Sequence, residues 1–529
     1  MSLPKEDERY DDHVGRIARG VGVSSVGQGV SRLLGYATQV ALARMYGPGQ
    51  LGFYVLGATL AQIISILSHF GMDNGVVRYV AHYDAMGDTR RVRGTIIQAL
   101  LVTFALSVVL SGLLFFGAGF LARLYGDPFY ETIFRAFAVS VPFFTLMSMV
   151  LWATQGFQTM KYATYVQYVL RPLSNLALVV VFYLFGVQIM GAVTAYILSM
   201  ALGALLSLYY LRKIFPGLFD RRVKARYESR ALFAASGPMT VVNLAQHLNP
   251  WIALLVIGAF EPVRMVGIYD TAFKTAALSA LVLFAFGGIF SPMISNLYSR
   301  GMLGDLSYLY KDVSYWAFTG ALVFFLMTAL LARDIMAVFG PQFVYGWPVI
   351  VIVAAAQLFS SSIGPTARVL AMTGNQRIVV LATFGSAVTA AALNLALVPT
   401  FGIFGAAVAT AAALVLVNVV NLYFVHRVLG FWPYSARYAK PAVAGLLAAV
   451  AVYVVRLVLL PVLSGAPALV VFAPLFLAIF VALLVALGLS PSDRQFLASF
   501  WDAVRRNVRR NVRRGTPPGG DSPNASRDA

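Results

Sequence analysis

The chain has 529 residues, of which 59% are hydrophobic and only 12% charged, and it carries a net charge of +19. Soluble proteins run about 45–50% apolar and about 25% charged, so this balance excludes an ordinary soluble domain and points to a multi-pass membrane protein. The absence of cysteine excludes disulfides, thiol catalysis and cysteine-ligated metals.

The opening run MSLPKEDERYDDHVGR is polar and mixed in charge, without the regions of a cleaved signal peptide. Residues 1–20 are therefore expected as a cytoplasmic segment, with the first apolar span directing insertion. Fourteen spans follow, at 21–45, 52–76, 94–117, 132–155, 162–185, 189–211, 231–257, 267–292, 314–332, 347–370, 378–398, 403–426, 438–460 and 467–488. Each approaches the roughly 20 residues that a helix needs to cross a ~30 Å hydrocarbon core.

Span 1 holds Arg32 near its middle, and Gln28, Ser31, Arg32, Gly35 and Gln39 recur at helical spacing on one stripe. A mid-membrane arginine costs about 2.5–3.5 kcal/mol on insertion scales, so it normally faces a protein interior or a wet cavity. The plainer alternative is a packing stripe whose arginine pairs with a carboxylate. Near the inner end of span 2, His69 and Asp73 stand one turn apart, either as a proton-sensitive gate or as a polar cap on the helix end. In span 5 Arg171 precedes Pro172, where it could serve a cavity or only stabilise the carbonyl that the proline leaves unpaired.

The connection 212–230 carries seven lysines and arginines and reads as a linker between halves. In span 7, Asn243, Gln246 and His247 form a second polar stripe, and Asn249-Pro250 predicts a kink that could act as a hinge. Asp270 and Lys274 in span 8 have the spacing and order of a helical ion pair, which could be structural or functional. Arg368, late in span 10, reads as a snorkelling side chain. After spans 13 and 14 (438–488), residues 491–514 repeat apolar positions every four residues between paired arginines. That is a basic amphipathic helix suited to anionic lipid, and its tether beside the membrane argues against nucleic acid. Residues 515–529 read as disordered.

Sorting the lysines and arginines onto alternate sides places 30 with the N-terminus and 6 opposite, leaving Arg32, Arg171, Lys274 and Arg368 within spans. The positive-inside rule then puts both termini in the cytoplasm. An offset of about 215 residues maps Gly52-Phe53-Tyr54 onto Gly267-Ile268-Tyr269, and Phe185-Gly186-Val187 onto Phe401-Gly402-Ile403. Residues 21–211 and 231–428 are thus expected as two six-helix lobes in parallel orientation, with a substrate path where they meet. The same offset carries Gln28, Ser31 and Arg32 onto Asn243, Gln246 and His247, a polar wall shared by both halves.

The run ARMYGPGQLGFYVLG (43–57) resembles the helix 1–2 signature of the multidrug/oligosaccharidyl-lipid/polysaccharide exporter superfamily. The hairpin LWATQGFQTMKY (151–162) is similar to a turn of its polysaccharide-flippase branch. The resemblance implies an all-α membrane protein whose two lobes form a V around a cationic cavity, with a lipid-linked glycan as cargo. No phosphate loop, H-E-x-x-H or paired-cysteine site is present, so no enzyme activity, cofactor or metal is expected. The candidate substrate contacts are Arg32, Gln28, Ser31, Gln39, Asn243, Gln246, His247, Lys274 and Arg171, and the candidate gating or ion-coupling groups are Asp270, His69 and Asp73. Fixed cations in an enclosed wet path suit a diphosphate crossing hydrocarbon. The expected function is transfer of a polyprenyl- or dolichyl-diphosphate-linked oligosaccharide from the cytoplasmic to the outer leaflet of the plasma membrane, beside a glycan polymerase or glycosyltransferases. The rivals are a peptidoglycan-precursor flippase, a cation-coupled multidrug exporter and, from another class, a membrane glycosyltransferase or polymerase.

Overall fold

The computed structural model describes residues 6–218, 220, 224–228, 232, 244, 248–459 and 465–488, with backbone only at 6–26, 282–289, 292 and 459. Among the described residues the structure is helical, with no strand. Ten helices among the described residues are long and apolar enough to cross a membrane. In chain order the helices are α1 (Glu6–His69), α2 (Met72–Ala85), α3 (Thr89–Leu124), α4 (Phe129–Gly156), α5 (Lys161–Leu184), α6 (Ile189–Ile214) and α7 (Leu248–Phe260). They continue with α8 (Val263–Ala276), α9 (Ala280–Ser299), α10 (Leu303–Phe339), α11 (Trp347–Ile363), α12 (Thr366–Met372), α13 (Gln376–Leu429), α14 (Ala439–Leu459) and α15 (Ala466–Ala486).

Two of these are pairs of helices joined at a glycine. α1 turns at Gly47 (φ 72°, ψ 175°) and α13 at Gly402 (φ 56°, ψ −138°). Both positions need positive φ, which glycine adopts without a Cβ clash, and Pro48 then starts the second leg of α1 with its missing N–H at no loss. The sequence-predicted gaps between spans 1 and 2 and between spans 11 and 12 fall at these turns.

The N-terminal segment takes a definite form, and one expectation is corrected. α1 begins at Glu6, so most of the polar segment 1–20 is helical; no glycine or proline interrupts it between Pro4 and Gly15. Span 2 does not run unbroken to residue 76, because Phe70 (φ 48°) and Gly71 (φ 63°) both adopt left-handed backbone and end the helix at His69. His69 and Asp73 therefore belong to different helices rather than to adjacent turns of one.

The two halves meet along the second leg of α1 and along α8. A Cβ on Gly52 would lie 2.0 Å from the carbonyl oxygen of Val263, and one on Gly267 would lie 2.3 Å from that of Pro48. Gly52 and Gly267 are 215 positions apart, as are Pro48 and Val263, so the contact is reciprocal. Tyr54 packs edge-on against Tyr196 of α6, while Tyr269, at the same offset, hydrogen-bonds Thr410 of α13 at 2.9 Å.

The hairpin α14–α15 packs on α10 away from this seam, through Leu331, Ala448, Phe472 and Phe476. Asp334 locks it there: one carboxylate oxygen lies 2.5 Å from Arg456 and the other accepts from the Gly465 amide at 2.8 Å. Arg456 also donates to the Leu330 carbonyl.

The described part of the linker lies against the turn between α2 and α3. The Arg226 amide donates to Arg90 at 3.0 Å, and the Arg226 carbonyl approaches so closely that a Cβ on Gly94 would meet it at 1.9 Å. Glu228 pairs with Arg91 at 3.0 Å and accepts from the Tyr83 hydroxyl at 2.5 Å. Burial, and then the Glu228 hydrogen bond, push the Tyr83 phenol up to about 12.

Candidate functional site

The polar stripe of span 1 faces the space between the halves. A cavity of about 420 Å³ is walled by Ser31, Gln39 and Tyr54 of α1, Arg171 and Asn175 of α5, Trp251 of α7, and Asp270 and Lys274 of α8. A second space of about 530 Å³ adjoins it, sharing Gly35, Gln39, Phe273 and Lys274 and adding Arg32 and Tyr36. At 1.5 Å per residue, Arg32 lies about 22 Å along its helix from Gly47, and Lys274 about 18 Å from Pro262. Lys274 is thus near the middle of a ~30 Å apolar slab, and Arg32 about three-quarters of the way across it.

Each cation is placed by a local feature of the chain. Arg171 follows a π-helical stretch, Thr164–Leu170, and precedes Pro172. The wide π turn and the proline together interrupt the regular bonding of α5 at the cavity wall, a disposition frequent at functional sites. Among the described residues no carboxylate lies within ion-pair distance of Arg171. Asn175, one turn on, has its Oδ1 buried without a hydrogen-bond partner among them. A buried acceptor in a cavity wall normally meets a donor from water or ligand.

Lys274 and Asp270 form the ion pair that their spacing predicts, at 2.7 Å. The side chains differ in environment: Asp270 is 4% exposed and Lys274 49%. Gln39 links the pair to the other lobe, donating from Nε2 to Asp270 at 3.1 Å and Thr271 at 3.0 Å and accepting from Lys274 at 3.1 Å. Its amide is consumed by this bridge, so Gln39 ties the halves together. Tyr36–Thr275 at 3.3 Å and Arg44 donating to the Val338 and Ala337 carbonyls reinforce the same end. Thr38, Gln39, Leu42 and Ala43 are buried, whereas Gly29, Val30, Arg32, Leu33 and Gly35 are exposed. The seam is closed toward Gly47 and open toward the other end.

Not every sequence candidate joins this site. Gln28 lines neither space. His69 is buried between the rings of Phe144 and Trp152, and Asp73 sits in the first turn of α2. Asn243, Gln246 and His247 lie outside the described residues. Asn249 bonds Ser386 of α13 at 3.0 Å, and Pro250 and Trp251 reach the cavity wall. Sequence reasoning missed Asn175 and Gln62. The first is four residues after Arg171, and the second ends the series Val55, Ala58, Thr59, Gln62, so a helical polar stripe marked each.

Residues 17–298, more than half of the chain, match the family described as polysaccharide biosynthesis protein. The chain belongs to that family. It is 28% identical over 204 residues to stage V sporulation protein B of Bacillus subtilis, covering 37% of this chain and 38% of that one. The identity is again 28% over 204 residues with the probable low-salt glycan biosynthesis flippase Agl15 of Haloferax volcanii, covering 37% and 42%. The match thus spans about two-fifths of the length of these curated relatives. Among solved structures, the lipid II flippase MurJ in an inward closed conformation superposes with a TM-score of 0.68 at 12% identity, covering 87% of this chain and 97% of that one. This chain therefore shares that fold, a multi-pass bundle of membrane-length helices.

Proposed function

We propose that this protein is a flippase that moves a polyprenyl- or dolichyl-diphosphate-linked oligosaccharide from the cytoplasmic to the outer leaflet by alternating access. It is a carrier rather than an enzyme. The observation that carries the reading is Arg171. It stands in the wall of an interlobe cavity where, among the described residues, no carboxylate lies within ion-pair distance of it; Asp270 lines the same cavity but is paired with Lys274, and Arg32 lines the adjoining space. Guanidinium groups match phosphate oxygens by paired hydrogen bonds, and a wet path between lobes spares a hydroxyl-rich head group the several kcal/mol per unsatisfied polar group that hydrocarbon exacts.

The proposal extends to topology. Fourteen crossings, both termini in the cytoplasm and two parallel six-helix repeats account for the split of 30 basic residues against 6. The reciprocal Gly52–Val263 and Gly267–Pro48 contacts support the repeat. In that orientation the closed Gly47 end faces outward and the open end faces the cytoplasm, ready to receive cargo. The sequence-predicted tail helix 491–514, outside the described residues, rests on anionic lipid of the inner leaflet in this reading, and a glycan polymerase or glycosyltransferases stand on either side of the transport step. The relative named as a probable glycan biosynthesis flippase supports the cargo class.

The test is transport in vesicles of a fluorescent polyprenyl-diphosphate oligosaccharide, scored by its accessibility to an added lectin. Arg171→Gln should reduce flux at least tenfold with protein content and melting temperature unchanged. Wild-type flux in that variant would remove the cavity from the transport path.

A further inference from the structure

Arg368 is partly exposed, but one nitrogen of its guanidinium is withdrawn from solvent. A snorkelling arginine places its guanidinium in water, whereas Arg368 Nη1 is buried and has no hydrogen-bond partner among the described residues. A buried donor left unsatisfied is costly, and more so when charged, so such a group points to a partner such as water or a ligand.

The backbone around it is shaped accordingly. α11 ends at Ile363, and Gly364 follows with φ +83°, pressed so close to α10 that a Cβ would lie 1.9 Å from the Ser314 hydroxyl oxygen. Pro365 then leads into α12. This interruption opens a pocket of about 280 Å³ whose polar lining is Ser360, Thr366, Arg368 and Asn418. Among the described residues no carboxylate belongs to that lining. A single guanidinium with hydroxyl and amide neighbours and no acidic counter-charge is the donor set of an anion site.

Position gives the pocket a role. Arg368 is 21 residues beyond Trp347, about 30 Å along the chain direction of α11 and α12, so it lies at the open end of the molecule. Ala280 lines both this pocket and the 530 Å³ space that contains Arg32 and Lys274.

We propose that Arg368, with Ser360, Thr366 and Asn418, binds a phosphate-ester anion at the mouth of the interlobe path, apart from the central cavity. Its role as the first station for a lipid diphosphate rests on the transport reading above; the anion site itself does not. A phosphoryl group there comes either from the cargo or from a bilayer phospholipid.

The test uses the purified full chain. Farnesyl diphosphate and inorganic pyrophosphate are titrated by calorimetry in detergent, and phosphatidylglycerol retained from nanodiscs is counted by native mass spectrometry. Arg368→Gln should weaken one diphosphate site at least tenfold while Arg171→Gln weakens a separate one. Failure of the transport reading would show in Arg171→Gln, and failure of the present proposal in Arg368→Gln. Unchanged diphosphate binding with one fewer retained phosphatidylglycerol would still place an anion at Arg368 and assign it to the bilayer. Unchanged binding of all three probes overturns the proposal. Should Arg368→Gln not fold, Arg368→Lys decides: it keeps charge but loses the two-pronged geometry, so about tenfold weaker binding is expected and wild-type affinity overturns the site.

Discussion

Gly52 and Gly267 face each other across the seam between the halves, where a methyl on Gly267 would lie 3.1 Å from the Gly52 nitrogen and 2.3 Å from the Pro48 carbonyl. The atoms in the way are backbone, which cannot rotate aside. Gly52→Ala and Gly267→Ala should therefore each push the lobes apart at the Gly47 end, destabilising the closed form by about 1–3 kcal/mol. The chain has no cysteine, so one introduced at buried Leu42 reports directly on that end. Faster labelling by a membrane-impermeant maleimide is expected in both variants, to a similar degree. Unchanged labelling and melting temperature would contradict the reciprocal contact.

The unequal exposure of Asp270 and Lys274 predicts unequal effects of losing either partner. Lys274→Ala leaves a carboxylate buried and uncompensated except by Gln39 and should cost about 3–5 kcal/mol. Asp270→Asn leaves a half-exposed ammonium that water can reach, and should cost clearly less. Thermal unfolding of the two variants and of the double variant checks the order; a larger loss for Asp270→Asn would refute it.

Asp334 and Arg456 are both buried, with side chains 6% and 12% exposed. Asp334→Ala strands the guanidinium and is expected to lower stability by about 3–5 kcal/mol. Asp334→Leu combined with Arg456→Met, which fills the space without charge, should restore most of it. Denaturation of the purified variants measures both.

The linker contact at Tyr83 has a defined pH window. The folded phenol, raised to about 12, keeps its proton where an unfolded tyrosine begins to lose it near 10. The contact is thus fully present below pH 10 and is lost as pH rises through about 12. Amide exchange at Arg226, corrected for its intrinsic rate, should remain protected to pH 10 and become fast toward 12. Tyr83→Phe should speed that exchange at neutral pH, with trypsin cutting after Arg226 sooner.

Much of this architecture was legible in the chain. The gaps between spans 1 and 2 and between spans 11 and 12 anticipated the turns, which the structure places at Gly47 and Gly402, where positive φ favours glycine. The spacing of Asp270 and Lys274 announced their pair, and Arg171-Pro172 announced an irregular helix. Other features could not be read. Phe70 takes left-handed backbone that its side chain disfavours, which no sequence pattern signals, so the His69–Asp73 register failed. The stripe marked Gln39 as facing a polar place but gave no hint that its partners, Asp270, Thr271 and Lys274, lie more than 230 positions away. Periodicity placed Arg368 late in its helix but could not show that one of its guanidinium nitrogens is buried.

The Asp334–Arg456 lock makes the two halves unequal in bulk. Among the described residues one of them carries an extra hairpin fixed to its flank, so in the proposed transport reading a rocking movement would sweep a wider annulus of lipid on that side. Work against lateral pressure then falls mainly on the C-terminal half, and the acyl-chain order of the surrounding bilayer becomes a determinant of which half moves.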